Sequence, residues 1–325
     1  MTSFARTGSP LRVMGYPPDN GSKLPLYLAQ EAGIFEENGI RITFHDPGSN
    51  EKLYEGEKNG AADIYVASAV NVVGNSAGRD NLVIVANTGY HYFRFMTDAS
   101  IARPEDLKGK RVATSPPGSA AALIDRIILT KLGLDPERDV TLVPFGQSSG
   151  RNFGKGGLAR VNALISGEIS ATAVTTEGIL ELEKLGLDKK YPVLTDYEKL
   201  NVYTGGGGDY AVSRTFLKES RDKVKVFLRS ICEAIALARK DKPKAMETLR
   251  KTMRIEDPAL LDFTYRTYVE RVIPERPYVR LESIEIALRI TSSDADTKGT
   301  RPEDLVDLSL IRELESEGLF EQLYR

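Results

Sequence analysis

Residues 113–123 read ATSPPGSAAAL and stand just before a helical pattern. Their types suit a loop that faces a ligand. Pro117 fixes φ, Gly118 lets a ligand approach the backbone, and Ser119 can cap a helix or donate its hydroxyl. Ala120, Ala121 and Ala122 keep the approach clear of bulk. The first turn of a helix leaves N–H groups without internal partners, and the helix dipole is positive there. An anionic or electron-rich group would be held by charge-assisted N–H contacts, each roughly twice as strong as a neutral one. The plainer alternative is a capped helix whose alanines pack tightly on a sheet.

Other residues offer less chemistry. Cys232, the single cysteine, sits in VKVFLRSICEAIALARK between Ile231 and Ile235 and reads as core rather than nucleophile. His45 and His91 are far apart, and a zinc site would need carboxylates or water to complete it. No metal and no cofactor is expected. The segment 145–157, FGQSSGRNFGKGG, places Arg151 and Lys155 among glycines. Its GRNFGKGG fails the G-x-x-x-x-G-K-[ST] spacing, so it is not a nucleotide phosphate loop. It reads either as a lid lending a cation to an acidic ligand or as a solvated insertion.

These residues must be positioned by a fold, and the chain alternates short apolar runs with helical ones. Strands are expected at 11–16, 40–45, 62–68, 110–114, 139–145, 169–174 and 191–196, with one or two more in 82–97. Helices are expected at 25–39, 51–60, 122–135 and 178–186, in 160–167, and through most of the chain after 215. Strands alternating with helices argue an α/β protein with largely parallel sheets. In such sheets ligands lie off the carboxyl ends of the strands. That rule nominates Tyr16 and Asn20, Ser68 and Ala69, and Tyr90 and His91. It further nominates Ser115, Gly118, Ser119 and Ala120, then Thr175, Thr176 and Glu177, then the return loop from Tyr203 through Tyr210, with Gly207 and Tyr210 foremost.

Tyr16, Tyr90 and Tyr210 each offer a flat apolar face plus a hydroxyl, which suits a planar ligand. Strand alternation in TGYHYFRF would put Tyr90, Tyr92 and Arg94 on one face, with His91, Phe93 and Phe95 on the other. Glu177 can pair with a ligand amine or simply complement a helix dipole.

Composition bounds the class. The net charge of -2, from 44 basic and 46 acidic side chains, gives no surface for nucleic acid. Hydrophobic residues at 41% and charged residues at 28% are ordinary for a globular protein. No apolar run reaches the roughly 18 residues needed to span a membrane. The start, MTSFARTGSPLRV, has no apolar signal segment. The expectation is therefore cytoplasmic if the chain is complete, or periplasmic or cell-surface if a leader was removed.

Several stretches together resemble the periplasmic solute-binding proteins of ABC importers, in the NMT1/THI5-like subgroup for sulfonates, nitrate and thiamine precursors. They are PLYLAQEAGIFEENGIRITF, GAADIYVASA, IARPEDLKGKRVATSPPGSAA, ARVNALISGEISATAV and RTFLKESRDKVKVFLRSICEAIALARKDKPKAMETL. They span about residues 10–320, and their order carries the likeness. The resemblance implies a two-lobed α/β fold of the periplasmic-binding-protein type II class with a helical C-terminal extension. Lobe one would comprise 1–95 plus 206–325 and lobe two 96–205, with hinge crossovers near 95 and 205. The GGGG at 205–208 falls at the return crossover. A monomer handing a small-molecule ligand to importer membrane subunits would follow. The wider group also holds a pyrimidine synthase with a cysteine cluster and an aromatic desulfinase with a cysteine near the first cleft loop. Here that loop reads PPDNGSKLP, without cysteine. An enzyme on the same fold, using His91 or Glu177 in acid–base chemistry on an aromatic or heterocyclic substrate, stays open, as does a cytoplasmic sensor.

Overall fold

A computed structural model of the chain describes residues 9–18, 20–76, 82–116, 120–145, 153–203, 208–291 and 299–325. The chain divides into two compact units, Met1–His91 with Thr204–Arg325, and Tyr92–Tyr203.

In the first unit β1 (Leu11–Gly15) alternates, with Leu11 and Val13 buried and Arg12 exposed. The irregular turn after it leads into α1 (Leu24–Glu31) and α2 (Ile34–Glu37). One helix was expected over 25–39. Gly33 between the two takes φ +75°, a left-handed conformation that ends the first helix. Next come β2 (Ile42–His45), α3 (Asn50–Asn59), β3 (Ile64–Ala67), α4 (Ala69–Ser76) and β4 (Leu82–Asn87). All four residues of β3 are buried, as suits a central strand covered on both faces.

The second unit follows with β5 (Arg94–Thr97), β6 (Arg111–Thr114), α5 (Ala120–Lys131), β7 (Thr141–Pro144), α6 (Phe153–Ile165), β8 (Ala171–Val174), α7 (Thr176–Lys184) and β9 (Val193–Asp196). Two expectations are corrected here. Residues 88–93 form no strand, so the alternation assigned to Tyr90, His91, Tyr92 and Phe93 does not apply. Gly89 breaks the run with φ +131°. The expected glycine-rich loop 145–157 is shorter, because α6 already begins at Phe153. Arg151 lies outside the described residues.

The chain re-enters the first unit as β10 (Asp209–Ser213) and ends in helices. These are α8 (Arg214–Glu219), α9 (Arg221–Lys240), α10 (Lys242–Met253), α11 (Pro258–Thr267), α12 (Leu281–Thr291), α13 (Ser309–Ser316) and α14 (Leu319–Leu323). In α9, Val224, Phe227, Leu228, Ile231 and Ile235 recur at helical spacing and are all buried. Phe227 stacks on Phe35 with ring centroids 5.4 Å apart.

Each unit is built on one five-stranded sheet, in the order β2-β1-β3-β10-β4 and β7-β6-β8-β5-β9. The two orders correspond strand for strand. Each sheet is largely parallel, as the sequence had suggested. In each, one strand is inserted antiparallel between its neighbours, and it is the first strand after the chain crosses over from the other unit. In the second unit β5 plays this part, and in the first β10 does.

Candidate functional site

The carboxyl ends of the parallel strands position the candidate residues. In the first unit Tyr16 follows β1 half-buried, packed on the cluster of Leu53, Tyr65, Val72 and Ile284. Asn20 is buried and its side chain accepts from Ser22 N–H at 2.9 Å, capping a short turn. Behind it, Lys23 is only 2% exposed, with Nζ 3.4–3.5 Å from the carbonyls of Tyr16 and Pro17.

After β3, Ser68 caps α4. Its hydroxyl accepts from Asn71 N–H at 3.3 Å and donates to Asn71 Oδ1. Ala69 opens the helix, and its backbone N–H favours the charged form of the Asp209 carboxylate. Asp209 is buried at the first position of β10 and accepts from Asn87 Nδ2 at 2.7 Å. Burial outweighs both influences and pushes its carboxyl up to about 7. The same Asn87 side chain accepts from Gly89 N–H at 2.9 Å, and Thr88 N–H donates to Gly208 carbonyl at 2.8 Å. Gly208 has no room for a side chain, since a Cβ there would meet Gly89 O at 2.5 Å. Tyr90 and His91 continue this segment and are 6% and 8% exposed.

Tyr210 is corrected: it is a core residue. Its position on β10 turns the ring inward, edge-on to Phe227 at 5.6 Å and fully buried, so it offers no surface to a ligand here. Gly207 lies outside the described residues.

In the second unit Ser115 follows β6 and is committed internally. Its N–H donates to Asp125 Oδ2 at 2.9 Å, and its Oγ accepts from Arg160 Nη2 at 2.7 Å. Asp125 also accepts from the Thr114 hydroxyl at 3.1 Å, with Arg160 4.0 Å away. Burial raises the Asp125 carboxyl, against the pull of Arg160, of the Ser115 N–H and of the Thr114 and Tyr197 hydroxyls. Gly118 and Ser119, where the loop argument placed its main N–H contacts, lie outside the described residues. Ala120 is the first residue of α5.

After β8, Thr175 is the N-cap of α7 but makes no side-chain cap bond. It is 3% exposed, and its Oγ is buried without a hydrogen-bond partner. Thr176 is buried and donates its hydroxyl to the half-buried Glu177 carboxylate at 3.1 Å. Arg94, the first residue of β5, donates through Nε to Tyr92 OH at 2.9 Å and lies 3.3 Å from Asp196. Tyr197 and Phe93 pack at 5.2 Å between centroids.

Sequence reasoning nominated Thr175 and a return loop that includes Asp209, gave Arg94 only as a strand position, and missed the Asp125–Arg160 pair. A signal existed for Asp125: with Ala122 and Leu129 it falls on the buried face of α5 at spacings of three and four. The structure leaves Cys232 in the core, where burial raises its thiol, the direction that removes thiolate. Among the described residues, no group of three or more His, Cys, Asp or Glu is gathered as metal ligands, and no helix is long and apolar enough to cross a membrane.

Comparison with solved structures shows the fold. A putative periplasmic sulfonate-binding protein SsuA from Methylobacillus flagellatus KT aligns with a TM-score of 0.70 at 15% identity, covering 96% of this chain and 95% of its own. The periplasmic aliphatic sulphonate binding protein SsuA from Escherichia coli gives 0.65 at 19% identity, covering 94% and 92%. The desulfurization enzyme DSZB gives 0.60 at 15% identity, covering 96% and 100%. The chain therefore has the fold of periplasmic binding proteins. No curated protein sequence matches it. The sequence profile of the family described as NMT1/THI5 like matches residues 20–245, well over half of the chain, and the chain belongs to that family.

Proposed function

We propose that this chain is the substrate-binding component of an ABC-type importer, capturing a small organic ligand without chemical change. The observation that carries the reading is the connectivity. Each unit holds one antiparallel strand that enters directly from a crossover, so two chain segments join the units. Two-domain receptors of this kind close around a ligand, with a few crossover residues absorbing the φ/ψ change. The Gly89–Gly208 approach, too tight for any side chain, suits such a crossover. The solved relatives named as sulfonate-binding components, and the family match, support the same reading.

The candidate ligand contacts lie at the carboxyl ends of the parallel strands. In the first unit they are Tyr16, Asn20, Ser68, Ala69, Tyr90 and His91; in the second they are Ser115, the start of α5, Thr176 and Glu177. Aromatic contact and N–H donors supply the affinity. The membrane subunits of the importer are the partners, and the protein works outside the cytoplasmic membrane. DSZB, an enzyme of the same fold, shows that the fold alone does not fix the activity. The thiol here, however, is core-buried Cys232.

Native mass spectrometry of the purified chain, before and after mild unfolding, tests the proposal. A small molecule held one to one and recovered unaltered supports it. Conversion of the captured molecule overturns it.

A further inference from the structure

Asp209 closes a cluster of hydrogen bonds between the two segments that cross between the units. Residues 87–89 lead out of the first unit, and residues 208–209 lead back into it. Asn87 Nδ2 donates to Asp209 Oδ1 at 2.7 Å and to the Gly89 carbonyl at 3.3 Å. Its Oδ1 accepts from Gly89 N–H at 2.9 Å. Thr88 is fully buried, and its N–H donates to the Gly208 carbonyl at 2.8 Å while its hydroxyl donates to the Ser22 carbonyl at 2.8 Å. Gly208 lies so near Gly89 that a Cβ would meet the Gly89 oxygen at 2.5 Å.

No cation sits beside this acid among the described residues. Asp209 lies between β3 and β4 at the start of α4, and their sequences, IYVA, LVIVAN and AVNVVGNS, hold no charged residue. Tyr65 on β3 and Tyr210 on β10 are raised by burial and stay uncharged near neutral pH. Lys23, in the turn after Asn20, keeps its ammonium at the Tyr16 and Pro17 carbonyls. Glu270 and Arg271, next to the Val272 that covers Gly89, are exposed. The crossover itself adds Tyr90 and His91. Burial, Asn87 and the Ala69 N–H set the titration of Asp209 at about 7, with no charged group among its causes. A carboxylate formed there meets no cation and needs water, which enters only if the two segments part.

We propose that Asp209 is a proton-operated latch on the crossovers: holding its proton it keeps residues 87–89 packed on 208–209, and losing it lets the two segments separate. The freed residues then absorb the φ/ψ change of closing and opening more readily. A receptor built this way exchanges its ligand faster above neutral pH than below it. The proposal goes beyond the receptor reading and rests on it only for this consequence.

Hydrogen exchange of the full chain without added ligand, followed by mass spectrometry across pH, tests the latch. Exchange at Thr88 and Gly89 should run ahead of the buried amides of α9, marking an opening short of unfolding. After correction for base catalysis it should accelerate by a further factor of about ten between about pH 6 and about pH 8. Asp209→Asn, which cannot ionise, should remove that acceleration. His91→Gln should keep it, because a histidine gains its charge in the opposite direction, on acidification. Exchange no faster than in α9, or no acceleration beyond base catalysis, overturns the latch. So does an acceleration that survives Asp209→Asn or vanishes in His91→Gln. If Asp209→Asn does not fold, the parent protein and His91→Gln decide. These outcomes leave the capture experiment untouched, so the latch and the receptor reading fail separately.

Discussion

Asn87 Nδ2 donates to Asp209 Oδ1 at 2.7 Å across the end of the first sheet, joining the last residue of β4 to the first of β10. The equivalent pair in the second sheet is Arg94 with Asp196, at 3.3 Å. Each unit therefore ties its edge strand to its inserted strand by one polar pair at the crossover end. The chemistry of the two pairs differs. In one a neutral amide meets a buried acid, and in the other a guanidinium meets a carboxylate.

The Asp209 carboxyl rises from 3.8 to about 7 because burial disfavours its charge. Folding thus favours the protonated form. The associated stability is fully present below about pH 4 and is lost as pH rises through about 7. Asp209→Asn, neutral throughout, should gain on the parent protein as pH rises from 5 to 8, by about 2–4 kcal/mol at the upper end. Urea unfolding at a series of pH values measures this. A difference that does not change with pH would refute the buried-acid assignment.

Gly208→Ala would bring a methyl group to 2.5 Å from the Gly89 carbonyl oxygen. Because the obstacle is backbone, the crossover must shift. A loss of about 1–3 kcal/mol is expected, typical of overpacking. The midpoint of urea unfolding reads it directly, and an unchanged midpoint would show that the two crossovers are not held this closely.

Arg160→Met removes the cation that offsets the burial of Asp125. The carboxyl should then rise further, so the variant loses stability as pH rises above the ordinary carboxylate range. About 2–4 kcal/mol is expected at pH about 8. Asp125→Asn in the Arg160→Met background should recover part of that loss, because it removes the unpaired charge. A double-mutant cycle that closes additively would show that the two side chains do not interact.

Cys232 sits fully buried in α9 with its thiol raised by burial. A disulfide-exchange reagent should react with it only at the rate of unfolding, and Cys232→Ala should leave ligand capture intact. Rapid modification of the native protein would place the thiol at the surface and reopen thiol chemistry.

Much of this architecture was legible in the chain. The alternation of LRVMG and the apolar run LVIVAN announce strands, and the spacing in RDKVKVFLRSICEAIALARK announces a helix with one buried face. The antiparallel insertion was not legible, because a strand's direction depends on where the chain enters a sheet rather than on local pattern. Tyr210 misled for a related reason: an aromatic after a glycine run looks loop-borne, yet β10 begins one residue earlier at Asp209 and turns the ring into the core. Asp209 fell inside the nominated return loop, but its burial was not legible. An acid beside glycines reads as a solvated turn until the sheet shows Asn87 and Ala69 closing on it.

The account rests on capture of a small molecule without turnover, and incubation of the full chain with a ligand it retains, followed by denaturation and magnetic resonance of the released molecule, tests that most directly. The receptor reading predicts one ligand per chain, returned with every bond intact after prolonged contact. A steadily accumulating product, formed in proportion to protein and time, would contradict it.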